Sequence, residues 1–410
     1  MLAGMMTMAV GRGASLIQQP FSYGRPIDGA LFPAGTPKLG LGLAALGRPG
    51  YINLGRGEDL GEDRDVDSMK ARCFKVLDAA HAGGVRYFDC ARGYGLSEDF
   101  LAAWLAERQI QPDDVIVGTK WGYTYTADWR VALNEGEGPQ SHEVKDHSLN
   151  NLIGHAAESE ARLGRFVRLH QIHSATLESG VLSDAMVIDR LVRLRTDRGW
   201  KLGLSLSGPG QADTLAKALD VLEHPPFPPF NQPPPSLVAR SAYPSKFSVN
   251  VCFCLGLPPP LFCVCVSIYS CPCASLLDQV GIFDSVQATY NPMEDSVGGL
   301  LERAHQEHGM EVIVKEAMAN GRVLQCEPMV AAAKERGVGV DALAIAALRA
   351  QAKAKFDPMV LSGAVTAEQA RGNLGALELE VSNSDAAALF DACRVKPNDY
   401  WAERAGLEWN

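Results

Sequence analysis

The feature that most constrains this chain is an alternation along its length: eight short apolar runs, set apart by loops and by amphipathic stretches with apolar residues at helical spacing. The apolar runs fall at 39–46, 85–89, 115–119, 167–172, 201–205, 283–287, 311–315 and 359–361. Amphipathic stretches follow or separate them at 66–82, 97–107, 148–163, 297–308, 341–353 and 366–377. Gly83-Gly84 closes the first of these, and Ser97 and Ser148 stand where N-caps belong. Strands alternating with helices of this length specify βα units and a parallel sheet, and eight such units predict a closed (β/α)8 barrel.

The expected organisation is one barrel over 37–395, with an N-terminal extension at 1–36 and a C-terminal tail at 396–410. Residues 221–279 break the rhythm between the fifth and sixth strands: eleven prolines lie between Pro225 and Pro260, and no charge occurs between Lys246 and Asp278. Six of the ten cysteines crowd into this segment. Pro258-Pro259-Pro260 at its centre argues against a membrane helix, and the cysteine spacing fits no common zinc site. The segment reads as a low-complexity insertion without a fold of its own, and no metal is expected.

Composition narrows the function. A formal net charge of −10 and the lack of a long Lys/Arg run argue against nucleic acid as a partner, and no segment argues for a membrane. The first 27 residues hold no continuous apolar core of a secretory signal. Cys73, Cys90, Cys326 and Cys393 read as isolated thiols of a reducing compartment, so the expected location is cytoplasmic, with organelle targeting by the N-terminal extension as the alternative.

The chemistry is written at strand ends. Asp89 closes the second run with Tyr94 five residues on, Lys120 closes the third in Gly118-Thr119-Lys120, and His173 closes the fourth in Gln171-Ile172-His173. A parallel barrel gathers such positions on one face. Reducing a carbonyl requires a proton donor at the oxygen that becomes negative, and a tyrosine serves if a cation stabilises its anion. Lys120 is that cation, Asp89 the carboxylate that holds it charged, and His173 the group that orients the carbonyl. A hydride must come from a cofactor, since no side chain supplies one.

This set, Asp-x4-Tyr with Gly-Thr-Lys and a strand-ending Gln-Ile-His, resembles the aldo-keto reductases over about residues 37–220 and 281–380. The resemblance implies a nicotinamide-dependent oxidoreductase that reduces aldehydes or ketones, or oxidises aldose-like alcohols, with Tyr94 as acid/base and Asp89, Lys120 and His173 beside it. It implies a small carbonyl or sugar-like substrate. A non-catalytic, nicotinamide-binding regulatory barrel, like the family's channel-associated members, is the alternative.

The resemblance also implies the cofactor-binding residues. Ser205 and Gln287 match the positions that hold the nicotinamide amide, and Ser362, Gly363, Gln369 and Asn373 match the last strand, loop and helix that hold the adenosine end. The expected cofactor is NADP, with NAD as the alternative, because Gly363 and Gln369 replace the cations that many members place against the 2′-phosphate. Leu206 stands where an Asn usually follows the serine, and no stacking aromatic is evident around Lys315-Glu316-Ala317-Met318. The long stretch 123–145, with Tyr123, Tyr125, Trp129 and His142, reads as a loop supplying an aromatic wall to the pocket.

Overall fold

The computed structural model describes residues 29–133, 141–223 and 281–410. Its centre is a closed parallel barrel of β1 (Leu39–Gly42), β2 (Tyr87–Asp89), β3 (Ile116–Trp121), β6 (Val167–Ala175), β7 (Lys201–Leu206), β8 (Ser285–Thr289), β9 (Glu311–Lys315) and β10 (Met359–Ser362), with β10 pairing back onto β1. Each of the eight expected runs contributes one strand. The first is shorter than expected: beyond Gly42 the chain turns, with the Leu46 amide donating to the Leu43 carbonyl, so Leu43, Ala45 and Leu46 are buried without being strand.

Between β3 and β6 the stretch read as a loop contains an antiparallel hairpin, β4 (Tyr123–Tyr125) against β5 (Glu143–Lys145). The helices are α1 (Arg56–Leu60), α2 (Val66–Ala82), α3 (Ser97–Glu107), α4 (Leu149–Leu163), α5 (Ala185–Arg198), α6 (Gln211–Glu223), α7 (Gly298–His308), α8 (Glu327–Arg336), α9 (Val340–Lys353), α10 (Ala367–Leu374), α11 (Asn383–Cys393) and α12 (Pro397–Ala405). Asp65 caps α2 by accepting from the Asp67 and Ser68 amides, and Ser148 caps α4 as its position implied. Ser97 does not cap α3. It already lies within the helix, and its hydroxyl donates back to the Ala91 carbonyl at 3.2 Å.

Strand periodicity divides the side chains between two cores. Phe88 faces outward and meets Trp104 of α3 at 5.4 Å between ring centres, while its neighbours Tyr87 and Asp89 face into the barrel. Tyr87 spans the interior, and only glycine leaves it room: a Cβ on Gly118 would lie 2.4 Å from the tyrosine oxygen, and one on Gly40 would lie 2.8 Å from its ring. A second apolar cluster joins α8, α9, α11 and α12 through Met329, Leu343, Leu389, Tyr400 and Trp401. Among the described residues, no helix is long and apolar enough to cross a membrane.

Both ends of the chain differ from the expected extension and tail. Residues 1–28 lie outside the described residues, but Leu31 and Phe32 are buried under the barrel with Leu169, Ile313 and Met359, where apolar strand ends would otherwise face water. At the other end, 397–405 form α12, and the residues beyond it lie over the opposite mouth. Of the expected insertion at 221–279, residues 224–279 lie outside the described residues. Its first residues belong to α6, which runs to Glu223 and buries Leu215, Ala218, Leu219 and Val221.

Phe32 packs edge-on against Tyr87 with ring centres 5.0 Å apart. Phe32→Ala should therefore cost about 3–5 kcal/mol of stability, read as a lower denaturant midpoint with an unchanged slope. A midpoint equal to wild type would mean that the plug contributes no packing.

Candidate active site

Strand periodicity points Asp89 into the barrel just below its C-terminal mouth, where it is almost fully buried. A carboxylate in that position must be paired and hydrogen-bonded. Oδ2 accepts from Lys120 Nζ, which also donates to the Cys90 carbonyl at 3.1 Å. Oδ1 accepts from Tyr87 Oη at 2.9 Å, Gln287 Nε2 at 3.1 Å and Gln171 Nε2 at 3.2 Å. Four strands thus contribute donors to one carboxylate. Tyr87 and Gln171 were not singled out from the sequence. The signal that finds them is the period of two, which puts each on the inward face with Asp89 or His173.

Tyr94 lies in the loop after β2, its ring 4.7 Å from Lys120 Nζ and edge-on to His173 at 5.1 Å. Asp89, Tyr94, Lys120 and His173 therefore meet. Burial holds the Tyr94 phenol well above its usual range, and the nearby Asp89 raises it further. The opposing cation is Arg48, whose guanidinium lies 5.2 Å from the Tyr94 ring and 4.6 and 4.8 Å from the Tyr51 and Trp409 rings. Arg48 Nη1 donates to Glu143 Oε2 at 2.8 Å and to the Gly93 carbonyl at 3.0 Å, tying the hairpin to the Tyr94 loop.

His173 is held neutral: burial, then Lys120 and Lys315, push it well below its usual range. Its Nδ1 has no partner among the described residues. Tyr123 stacks edge-on against it at 4.8 Å. Of the aromatic residues expected in this wall, Tyr123 lines the cavity, whereas Trp129 donates to the Arg64 carbonyl at 2.8 Å and packs near Phe100. His142 stacks face to face on Trp409 at 3.8 Å. The rest of the wall comes from the C-terminal segment: Arg404 of α12 grips Glu316 with Nε at 2.9 Å and Nη2 at 2.5 Å, and Trp409 closes over Arg48. Arg404 and Trp409 were invisible as site residues because their roles exist only through packing.

From Tyr94 and His173 a cavity of about 500 Å³ runs past Ser205, Gln287 and Lys315 to the start of α10. At that far end Ser362 Oγ accepts from Asn373 Nδ2 at 2.7 Å and from the Ala364 amide, fixing the turn from β10 into the helix. Thr366 caps α10, and Gln369 accepts from the Val365 amide through Oε1 while donating through Nε2 to Asp59 at 2.6 Å. Gly363 and Gln369 line this end, as does Asp341. Asn320, in the left-handed conformation at φ 59°, lines the cavity with its Oδ1 buried and unpaired. Among the described residues, no group of three or more His, Cys, Asp or Glu side chains is placed to hold a metal ion.

A family model described as "Aldo/keto reductase family" matches residues 38–193, the segment that carries Asp89, Tyr94, Lys120 and His173. An aldo-keto reductase from Strobilurus tenacellus is 38% identical over 84 residues, which is 20% of this chain and 21% of that protein. The match to the aldo-keto reductase family thus spans the first four strands of the barrel. The solved structures this chain resembles share the barrel at low identity. A glycerol dehydrogenase from Gluconobacter oxydans superposes with a TM-score of 0.53 at 17% identity, covering 87% of this chain and 90% of that one. An aldo-keto reductase from Klebsiella pneumoniae, solved in complex with NADPH, gives 0.53 at 13%, covering 88% and 93%. Asp89, Tyr94, Lys120 and His173 stand together within the matched segment, while Lys315 and Glu316 stand where no aromatic was found.

The buried histidines set an acid limit. Burial pushes His147 down to about 4 and His170 down to about 3, with His173 lowered as well, against 6.5 in an unfolded chain. Below pH 6.5 the unfolded state takes up these protons and the folded state does not, so stability is lost as pH falls. Each group contributes up to about 1.4 kcal/mol per pH unit across that window. Glu316, held at about 2 chiefly by Arg404 against its own burial, acts in the same direction below about pH 4.5. Thermal midpoints should drop steadily from pH 6.5 to 4, and a flat profile there would contradict the neutral assignment.

Proposed function

We propose that this barrel is a nicotinamide-dependent oxidoreductase that interconverts a carbonyl and an alcohol, reducing aldehydes and ketones or oxidising aldose-like alcohols. The observation that carries this reading is the meeting of Tyr94, His173, Lys120 and Asp89 at one end of a long cavity whose other end is the N-terminus of α10. The cavity fits a dinucleotide: hydroxyl and amide groups line it, and the unpaired Asn320 Oδ1 waits for a donor. Ser205 and Gln287 would lie beside the nicotinamide, and Ser362, Gly363, Gln369 and Asn373 would hold the adenosine end. When bound, the nicotinamide supplies or accepts the hydride.

The protein's own groups handle the proton and the geometry. Tyr94, kept protonated by burial, gives its phenolic proton to the carbonyl oxygen during reduction and takes it back during oxidation. His173, held neutral, has one ring N–H with which to orient that oxygen. Lys120 places its ammonium against the Tyr94 ring, where it opposes the charge that develops on the phenolate, and Asp89 keeps the ammonium in place. Tyr94→Phe should lower turnover by about 100-fold or more while leaving dinucleotide affinity intact. Near-normal turnover in this variant would remove Tyr94 from its role, and tight dinucleotide binding by the wild type without turnover of any aldehyde, ketone or aldose would favour a regulatory barrel.

For the dinucleotide, the adenosine end offers little to a 2′-phosphate. Arg371 reaches Glu368 at 3.4 Å on the surface, Gln369 is bonded to Asp59, and Asp59 and Asp341 both line the cavity there. Preference for NADPH over NADH should accordingly be modest. Gln369→Arg combined with Asp59→Asn should shift the ratio of dissociation constants toward NADPH by about 1.5–3 kcal/mol, since a guanidinium would then be free to meet the phosphate. A wild-type preference for NADPH of about a thousandfold, some 4 kcal/mol, would contradict this account of the site.

A further inference from the structure

Among the described residues, every charge around the reactive end of the cavity but one has a hydrogen-bonded counter-ion. Asp89 is taken by Lys120, Glu143 by Arg48, and Glu316 by two nitrogens of Arg404 with Thr289 Oγ1 at 3.3 Å. That leaves Lys315, the last residue of β9, which lines the cavity with Tyr94, Tyr123 and His173. Its side chain is largely buried, and among the described residues its ammonium makes no hydrogen bond. The nearest carboxylate oxygen, Glu316 Oε1, is 3.9 Å away and already committed to Arg404.

Backbone geometry separates the two neighbours. Glu316 is in the left-handed conformation at φ 54°, and Ala319 and Asn320 share it at 48° and 59°. Non-glycine residues held there cost free energy and concentrate at functional sites. The bend after β9 leaves Glu316 clamped by α12 while Lys315 keeps the inward register of a strand end. A buried cation without a full partner is costly unless a ligand supplies the anion.

We propose that Lys315 is an anion anchor and that the carbonyl substrate carries a carboxylate, which pairs with this ammonium while the carbonyl lies against Tyr94 and His173. The inference rests on the oxidoreductase reading and names its substrate class. Tyr94, Tyr123, Tyr51 and Trp409 line the same cavity as Lys315, so an aryl aldehyde bearing a carboxylate is a suitable probe. Burial lowers the Lys315 ammonium to about 8. The groups facing it are Glu316, Arg404 of α12, Lys120 of β3, Asp89 of β2 and His173 of β6. Affinity for the anion should fall as pH rises through that value, because the neutral amine no longer attracts a carboxylate.

The test compares 4-carboxybenzaldehyde with its neutral methyl ester in the full chain and in Lys315→Met and Lys315→Arg. Lys315→Met should raise KM for the acid by roughly 10- to 100-fold, the loss of a charge-assisted hydrogen bond, and leave the ester's KM and the NADH dissociation constant within about twofold. Lys315→Arg should keep most of the preference for the acid, and the wild-type KM for the acid alone should climb above pH 8. Equal changes for acid and ester, or a weakened dinucleotide with both aldehydes unaffected, would overturn the proposal and assign Lys315 to general packing or to the cofactor. Benzoate and benzamide binding, followed by tryptophan fluorescence, gives a readout without turnover. Benzoate bound more tightly by wild type than by Lys315→Met, with neither aldehyde turned over, would sink the oxidoreductase reading and leave the anion site standing. Equal benzoate binding by the two proteins would sink the anion site itself.

Discussion

The Asp89 carboxylate is the constraint around which the barrel interior is arranged. A charge this deeply buried survives only if every lone pair has a partner, so one oxygen faces Lys120 and the other faces Tyr87, Gln171 and Gln287. Tyr87 reaches Asp89 only because Gly40 and Gly118 carry no side chain in its path. Strand register, glycine placement and ion pairing are therefore one requirement expressed at three levels. Breaking the pair from either side would leave an uncompensated charge in the interior, which makes the arrangement demanding as well as rigid.

Above that layer the site is built by parts that are not barrel strands. Arg48 from the loop after β1 joins the Tyr94 loop to the β4–β5 hairpin through Gly93 and Glu143. Arg404 joins α12 to the end of β9 through Glu316. The result is a polarised cavity, cationic beside Tyr94 through Lys315 and acidic beside α10 through Asp59 and Asp341. Carboxylates at the far end repel anions and the Lys315 ammonium at the near end attracts them, so the two ends of the cavity differ in sign.

The barrel and the meeting of Asp89, Tyr94, Lys120 and His173 were legible because they rest on local signals. Apolar runs mark strands, and Asp89, Lys120 and His173 stand at their ends whatever surrounds them. What stayed hidden depends on contacts between distant segments. Trp409 stacks on His142 and Arg404 grips Glu316 88 residues away, and neither has a pattern in its own neighbourhood. Local patterns also misled in small ways: the apolar run 43–46 turns after leaving β1, and 397–405, read as a tail, forms α12 because Tyr400 and Trp401 have the second apolar cluster to bury in. Gln287 lines the cavity, and its amide nitrogen is spent on Asp89, a partner visible only once the barrel closes.

The docking of the C-terminal segment carries a consequence for the order in which the molecule assembles. Asn410 exchanges backbone hydrogen bonds with Tyr51, and its carbonyl accepts from the buried Arg56, 354 positions earlier. Contacts so distant in sequence must wait for the chain between them to collapse. Closing the barrel is equally long-range, since β1 pairs with β10 at Leu39 and Val360, so the wall and the closing strand pair depend on the same collapse. The cavity mouth is thus completed from the far end of the chain, by residues that no strand of the barrel contains.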